Sequence, residues 1–565
     1  MHRLLVAIRA VSPTGVALVT AACMTWIDTP AESVAPRLGG FGTLDFPITT
    51  SSAEAQRLFT QGMLQSYAFN EEEAVRAFKA ALAEDPACAM CAWGVAYALG
   101  PNINARAHRA LNEARRYVSL AEARTGGATL RERQLVEALR LRYADAQRPP
   151  PQDAPLVAEA CGAAGDTSAR PLDVAYARKL RELADERPDD PDVASLYAEA
   201  LMIATRGPLW DPRTGQPADG VQDMVSRLER ALHQTPAHTG VNHYMIHALD
   251  QSPVPVRGQR SADTLGALAP ASPHLVHMPS HLYVRLARYG DARRANEEAL
   301  AAERRLTERL KTQGFEPTRN WDVHNMHFLW FAALMEGRGE QALAQAREAA
   351  ERHAGLKNPR AGYMRALPVL TLLRLERWED ALRESPPPHA GELELGIHDY
   401  ARGVALLRIG RPASARAAAA SLTPRVQAPL AEGARADDYV RGSLAILDAR
   451  LQGELLAEDG DTEGAARSLQ RAIELEDAHR WNEPPLLAAG SRLALGDMWL
   501  RARRWSEAEA AFRADLARQP GSGWALRGLH RALAGQARAA DAARARSELE
   551  HAWAAADRST KETLL

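Results

Sequence analysis

Residues 62–86, GMLQSYAFNEEEAVRAFKAALAEDP, decide how the chain folds. Gly62 is followed twelve residues on by Ala74, then by Phe78, Ala81 and Pro86. Residues 496–520, GDMWLRARRWSEAEAAFRADLARQP, keep the offsets with Gly496, Ala508, Phe512, Asp515 and Pro520. A glycine and small alanines let two helices approach closely, a large ring fills the gap, and proline ends the second helix. The pattern therefore predicts a repeated pair of antiparallel helices.

These offsets resemble the tetratricopeptide repeat (TPR), a helix pair of 34 residues. Weaker copies keep the twelve-residue step at Asp250/Ala262, Ser280/Ala292, Trp330/Ala342, Val369/Ala381, Gly403/Ala415, Gly453/Ala465 and His530/Ala542. The step from Gly496 to His530 is one full repeat; elsewhere the spacing varies, so the array is irregular. Pro/Gly-rich connections such as 147–155, 207–220 and 384–392 interrupt it. The expected fold class is all-α, a TPR-like α-solenoid. The composition agrees: alanine is abundant and aromatics are only 6% of the 565 residues.

The expected organisation is a signal peptide over 1–22, a loose tether over 23–45 and an irregular solenoid over 46–565, with His-rich central repeats at about 237–345. Arg3 and Arg9 precede a short apolar run that ends in LVTAAC, residues 18–23. That run is too short for a mature transmembrane helix and reads as an export signal of a bacterial cell-envelope protein. The small residues before Cys23 resemble a lipoprotein cleavage box, which makes Cys23 a candidate lipid anchor; an ordinary cleaved signal is the alternative. The formal net charge is -2 with no basic stripe, so nucleic acid is not an expected partner. Glu71, Glu72 and Glu73 read as a solvated helix start.

Aligning the middle repeats on their twelve-residue pairs brings histidines into phase. His243 and His247 precede Asp250, His274 and His277 precede Ser280 with His281 just after it, and His324 and His327 precede Trp330. Spacings of three and four put such side chains on one helical face. In TPR arrays that face of the first helix lines the concave groove. Seven of the chain's 17 histidines fall within residues 243–327, well above an even share.

Imidazole suits zinc, copper, iron and nickel, and helix bundles build metal sites from such pairs on facing helices. Seven imidazoles exceed one tetrahedral ion. Two ions with three histidines each is the natural count, a ligand pattern similar to type-3 copper proteins. Copper is the favoured metal, with iron or zinc as alternatives, and a copper or iron oxidoreductase or a metal-handling protein is the expected function. Asp250 and Asp322 are candidate additional ligands or orienting carboxylates. Pro279 disfavours helical geometry at Met278, so His274 and His281 are expected on differently directed segments. The alternative function is an interaction scaffold whose groove binds a protein, a peptide or an organic ligand.

The words HTGVNHYMIHALDQSP (238–253), LGALAPASPHLVHMPSHLYVRLARYGDARRAN (265–296), DPACAMCAWGVAYALGPNIN (85–104), LWDPRTGQP (209–217) and GWALRGLHRAL (523–533) resemble a group of bacterial exported TPR proteins, distantly similar to a eukaryotic TPR protein. The resemblance implies the fold and the unity of the His-rich motif, and no reaction. Glutamate usually stands in that group where this chain has Asp250. Cys88 and Cys91 form a CxxC word without the histidine that would mark haem attachment. In an oxidising compartment they form a candidate disulfide, with metal binding as the alternative, and Cys161 is left over. An i, i+3 disulfide does not fit regular helix easily, so a helix should begin after Cys88.

Overall fold

The structure, a computed structural model, describes residues 35–104, 110–144, 171–205, 207–317, 321–427, 434–478, 484–485, 487–488 and 490–564. The signal peptide, Cys23 and Cys161 lie outside the described residues.

Helix pairs build the molecule, and among the described residues the β-structure amounts to two isolated bridges. The chain is an all-α, TPR-like solenoid. The helix Ala53–Tyr67 is capped by the Ser52 side chain, which accepts from the Ala55 N–H, and packs against Glu71–Glu84. The packing follows the sequence argument. A Cβ on Gly62 would sit 2.6 Å from the Phe78 ring, and one on Gly496 would sit 2.6 Å from Phe512. The alanines of the twelve-residue pattern, from Ala74 to Ala542, are all buried.

The turn inside each pair also repeats. Phe69, Ala287, Glu376, Arg503 and Ala537 have positive φ, as do Gly337, Gly410 and Gly460. Arg503 and Ala537 are one 34-residue repeat apart, as are Glu376 and Gly410. The helix pairs share one turn geometry even where the sequence copies are weak.

The solenoid folds back on itself. The Tyr289 hydroxyl donates to the Pro520 carbonyl at 2.9 Å, and Trp553 Nε1 donates to the Met335 carbonyl at 3.3 Å. The C-terminal helix pairs thereby brace the pairs that carry the histidines.

Two expectations are corrected. The described part of the tether, residues 35–45, is not loose. Phe41 is buried, as is Phe46 just beyond, and Gly40 accepts from the Ala271 N–H at 2.9 Å. Thr43 N–H donates to Thr239 Oγ1 at 3.0 Å, and that hydroxyl donates back to the Thr43 carbonyl at 3.1 Å. Gly42 is required there: its φ is +114°, and a Cβ would lie 2.0 Å from Thr239 Oγ1. The stretch reads as a tether because it has no helical period, yet two aromatic anchors and its backbone hold it in place. Secondly, Glu71 and Glu73 are not solvated but buried. The Glu73 carboxyl is pushed up chiefly by burial, against its pair with Arg76 at 2.5 Å.

Candidate metal centre

Three helical segments carry the histidines: Thr239–Leu249, the broken pair Pro273–His277 and Pro279–Arg285, and Asp322–Met335. Thr239, which the Thr43 backbone holds, opens the first. The break in the second falls at Pro279, whose nitrogen cannot donate to the turn before it.

The structure gathers six of the seven imidazoles into two groups of three. His243, His247 and His274 form one; His277, His281 and His324 form the other. Within each group, one ligand nitrogen per residue lies within 4.8 Å of the other two. His243 Nε2 is 3.1 Å from His274 Nε2, and His277 Nε2 is 3.0 Å from His281 Nε2. Two nitrogens bound tetrahedrally to one zinc-sized ion at about 2.05 Å would lie about 3.3 Å apart. One pair in each group therefore stands near the spacing a metal requires, with the third nitrogen within 4.8 Å of both. The two groups adjoin one another, since the His274 and His277 ring centroids are 6.4 Å apart.

All seven histidines are buried rather than set on an open concave groove. The reason is that other segments cover this face: the turn at Phe69, the Trp321 ring and the neighbouring helices. Phe69 lies against the first group, with ring centroids 4.7 Å from His243, 5.8 Å from His247 and 4.9 Å from His274. Phe328 lies against the second, at 4.9, 4.6 and 5.0 Å from His277, His281 and His324. Trp321 stacks on His274 at 4.3 Å. Phe69 occupies the left-handed position of the repeat's turn at φ +52°, uncommon for a bulky residue. The turn thus aims an aromatic ring at three imidazoles.

Burial fixes the charge state. It pushes His243 down to about 3, and His247, His274, His277 and His324 well below the ordinary histidine range; neighbouring imidazoles add to it. These five side chains are neutral at pH 7, the form that ligates metal. His247 Nε2, His274 Nδ1 and both His324 nitrogens are buried without a hydrogen-bond partner. Buried polar atoms normally have partners, and each group holds at least one nitrogen that lacks one, which fits a bound ion in each.

One orienting contact is explicit. Asn296 Oδ1 lies 2.7 Å from His277 Nδ1, and the Asn296 amide donates to the Ala292 carbonyl at 2.7 Å, which sets which end faces the ring. His277 Nδ1–H then donates to Asn296 and leaves Nε2 for a ligand. A signal for Asn296 was present: it lies between Ala292 and Ala299 on a buried helical stripe, where a polar side chain needs a partner. Nothing in the sequence pointed to Phe69 or Phe328.

The remaining candidates fall elsewhere. His327 belongs to neither group; its Nε2 is 3.0 Å from the Tyr363 hydroxyl. Asp322 pairs with Arg352 at 2.5 Å. Asp250 is the buried cap residue after the Thr239–Leu249 helix, and its carbonyl accepts from Arg285. Neither carboxylate joins the three-ligand groups. Cys88 and Cys91 form a disulfide, and the helix Ala89–Ala98 begins after Cys88. Beside the first group, Tyr244 stacks on His243 at 5.3 Å. Glu199, lifted to about 7 chiefly by burial, accepts from the Tyr97 hydroxyl.

The chain is a TPR-like solenoid in which six buried histidines form two groups of three. No protein-family model and no curated protein matches the sequence. Among solved structures, a human IFIT1 dimer with m7Gppp-AAAA is similar at 12% identity and TM-score 0.30, over 90% of this chain and 92% of that one. The P58(IPK) TPR domain matches at 12% identity and TM-score 0.21, over 86% and 99% of the two chains. The APC/C Cut9–Hcn1 structure matches at 12% identity and TM-score 0.23, over 91% and 96%. Among the described residues no helix is long and apolar enough to cross a membrane.

Proposed function

We propose that the protein binds two transition-metal ions, one on His243, His247 and His274 and the other on His277, His281 and His324, and that copper is the metal. The carrying observation is the two triads of buried nitrogens drawn from three helical segments. The donor set favours copper. All six ligands are imidazoles, and no carboxylate joins them to offset the ions. Two divalent ions would bring four buried positive charges, whereas two monovalent copper ions bring two, at a smaller desolvation cost. Imidazole donors without carboxylates also disfavour the di-iron arrangement of helix bundles.

Such a pair of ions supplies one-electron chemistry at each metal, which suits an oxidoreductase or a copper-handling protein. The chain's own contribution is to hold six buried imidazoles, to orient His277 through Asn296, and to keep bulk water from the ligands with Phe69, Phe328 and Trp321. The workplace we propose is a bacterial cell envelope, with the chain a member of the exported TPR group its words resemble. The export-type residues 1–22 and the Cys88–Cys91 disulfide support this.

Elemental analysis of protein purified from its native source tests the reading. Two equivalents of copper are expected, with His274→Ala losing the first ion and His281→Ala the second. A wild type without stoichiometric metal, or both variants at full metal content, would make the histidine cluster a packing or organic-ligand feature instead. Mass analysis of the mature N-terminus tests the location: retained Met1 would exclude export, and a diacyl mass on Cys23 would show the lipid anchor.

A further inference from the structure

A cavity of about 350 Å³ lies among the C-terminal helix pairs. None of the six grouped histidines lines it. Its walls carry six arginines (Arg374, Arg408, Arg450, Arg501, Arg527 and Arg531) against three carboxylates (Glu376, Glu454 and Asp497). Part of this wall is already paired. Glu454 takes both Arg408, at 2.9 Å, and Arg501, at 2.6 Å, and Glu376 takes Arg527 at 2.6 Å. Asp497 is the third lining carboxylate; behind the wall Asp515 also attracts Arg374, and Glu476 attracts Arg450.

Arg374 is the most telling of these. Its guanidinium lies 3.8 Å above the Trp524 ring centroid, and its Nε is buried without a hydrogen-bond partner. Burial, with the neighbouring Arg527 charge, lowers its pKa to about 9 against the attraction of Asp497, Asp515 and Glu376. A guanidinium fork is a preorganised receptor for carboxylate or phosphate. The rest of the wall is not polar: Trp330, Trp378, Tyr400, Leu370 and Leu373 face the same space. Trp330 is pinned by its Nε1, which donates to Thr371 Oγ1 at 2.8 Å. The volume falls in the range of small-molecule sites, where apolar walls and a few polar groups act together.

We propose that this cavity binds a small aromatic anion, a carboxylate or phosphate carried on a ring, with the acid group at Arg374 and the ring against the aromatic wall. The site stands apart from the metal reading, and its test is the same with or without metal.

Calorimetric titration of the full chain with phenylphosphate and with benzoate tests it, with inorganic phosphate and phenol as controls. One-to-one binding is expected for at least one aryl anion, at least tenfold tighter than for both controls. Arg374→Met, which keeps an apolar stem over Trp524, should weaken it at least tenfold. Arg531→Gln, at an exposed wall position, should weaken it severalfold with an unchanged melting temperature. The preferred anion distinguishes carboxylate from phosphate. If both aryl anions bind no tighter than the controls, or if neither variant weakens binding, the proposal is wrong. If an acidic peptide binds at this site while both aryl anions fail, the small-molecule assignment is overturned. Should Arg374→Met fail to fold, Arg531→Gln decides alone.

Discussion

Asn296→Ala isolates the support of one metal ligand from the ligand itself. Asn296 is fully buried, so water cannot replace its side chain when it is cut back. The other nearby polar atom, Ser280 Oγ, is 3.4 Å from His277 Nδ1 and too distant to take over. The imidazole loses the acceptor that fixes its tautomer and its tilt. Leaving a buried donor unpaired costs about 1–3 kcal/mol. Loss of an orienting partner typically costs about 10–100-fold in metal affinity, or about 1.4–2.7 kcal/mol. The two routes agree, so the ion on His277, His281 and His324 should bind about 10–100-fold more weakly. The ion on His243, His247 and His274 should be unaffected, because Asn296 contacts none of those residues. Competition with a graded series of copper chelators reads the two sites as two separate release steps. Asn296→Asp, which keeps an acceptor beside Nδ1, should restore most of the loss. Equal weakening of both steps, or no weakening of either, would refute the orienting role.

His327→Phe should keep both metal equivalents by elemental analysis, because His327 faces Tyr363 and not a metal group; loss of either ion would return it to the ligand set. The metal-free protein should lose stability as pH falls from about 6.5 towards 3. His327 has a folded pKa near 3, below its unfolded value, so the unfolded chain binds more protons in that window. Each such histidine contributes a slope of about 1.4 kcal/mol per pH unit, measurable by urea unfolding at a series of pH values, and a flat profile would contradict its burial in neutral form. Gly496→Ala should lower stability by about 1–3 kcal/mol, because its Cβ would sit 2.6 Å from the Phe512 ring; an unchanged melting temperature would mean the helices separate freely. Thiol titration without reductant should find no reactive thiol at Cys88 or Cys91, and two after reduction.

The sequence by itself determined the repeat and the histidine phase. Both are local: Gly62 and Phe78 meet because they lie on the two helices of one pair, and His243 and His247 share a face because of the helical turn. It also located the break between Pro273–His277 and Pro279–Arg285, although Met278 itself keeps helical angles, φ −49° and ψ −38°, against the expectation. Tertiary structure alone decided how seven imidazoles divide. Helical phase says which face a side chain occupies, not how far one helix is rotated or shifted against the next. That relative placement groups His274 with His243 and His247, groups His277 and His281 with His324, and turns His327 to Tyr363. Burial was hidden for the same reason. Phe69 reaches His274, and Trp321 stacks on it, from distant parts of the chain, and a repeat pattern carries no trace of what closes over it.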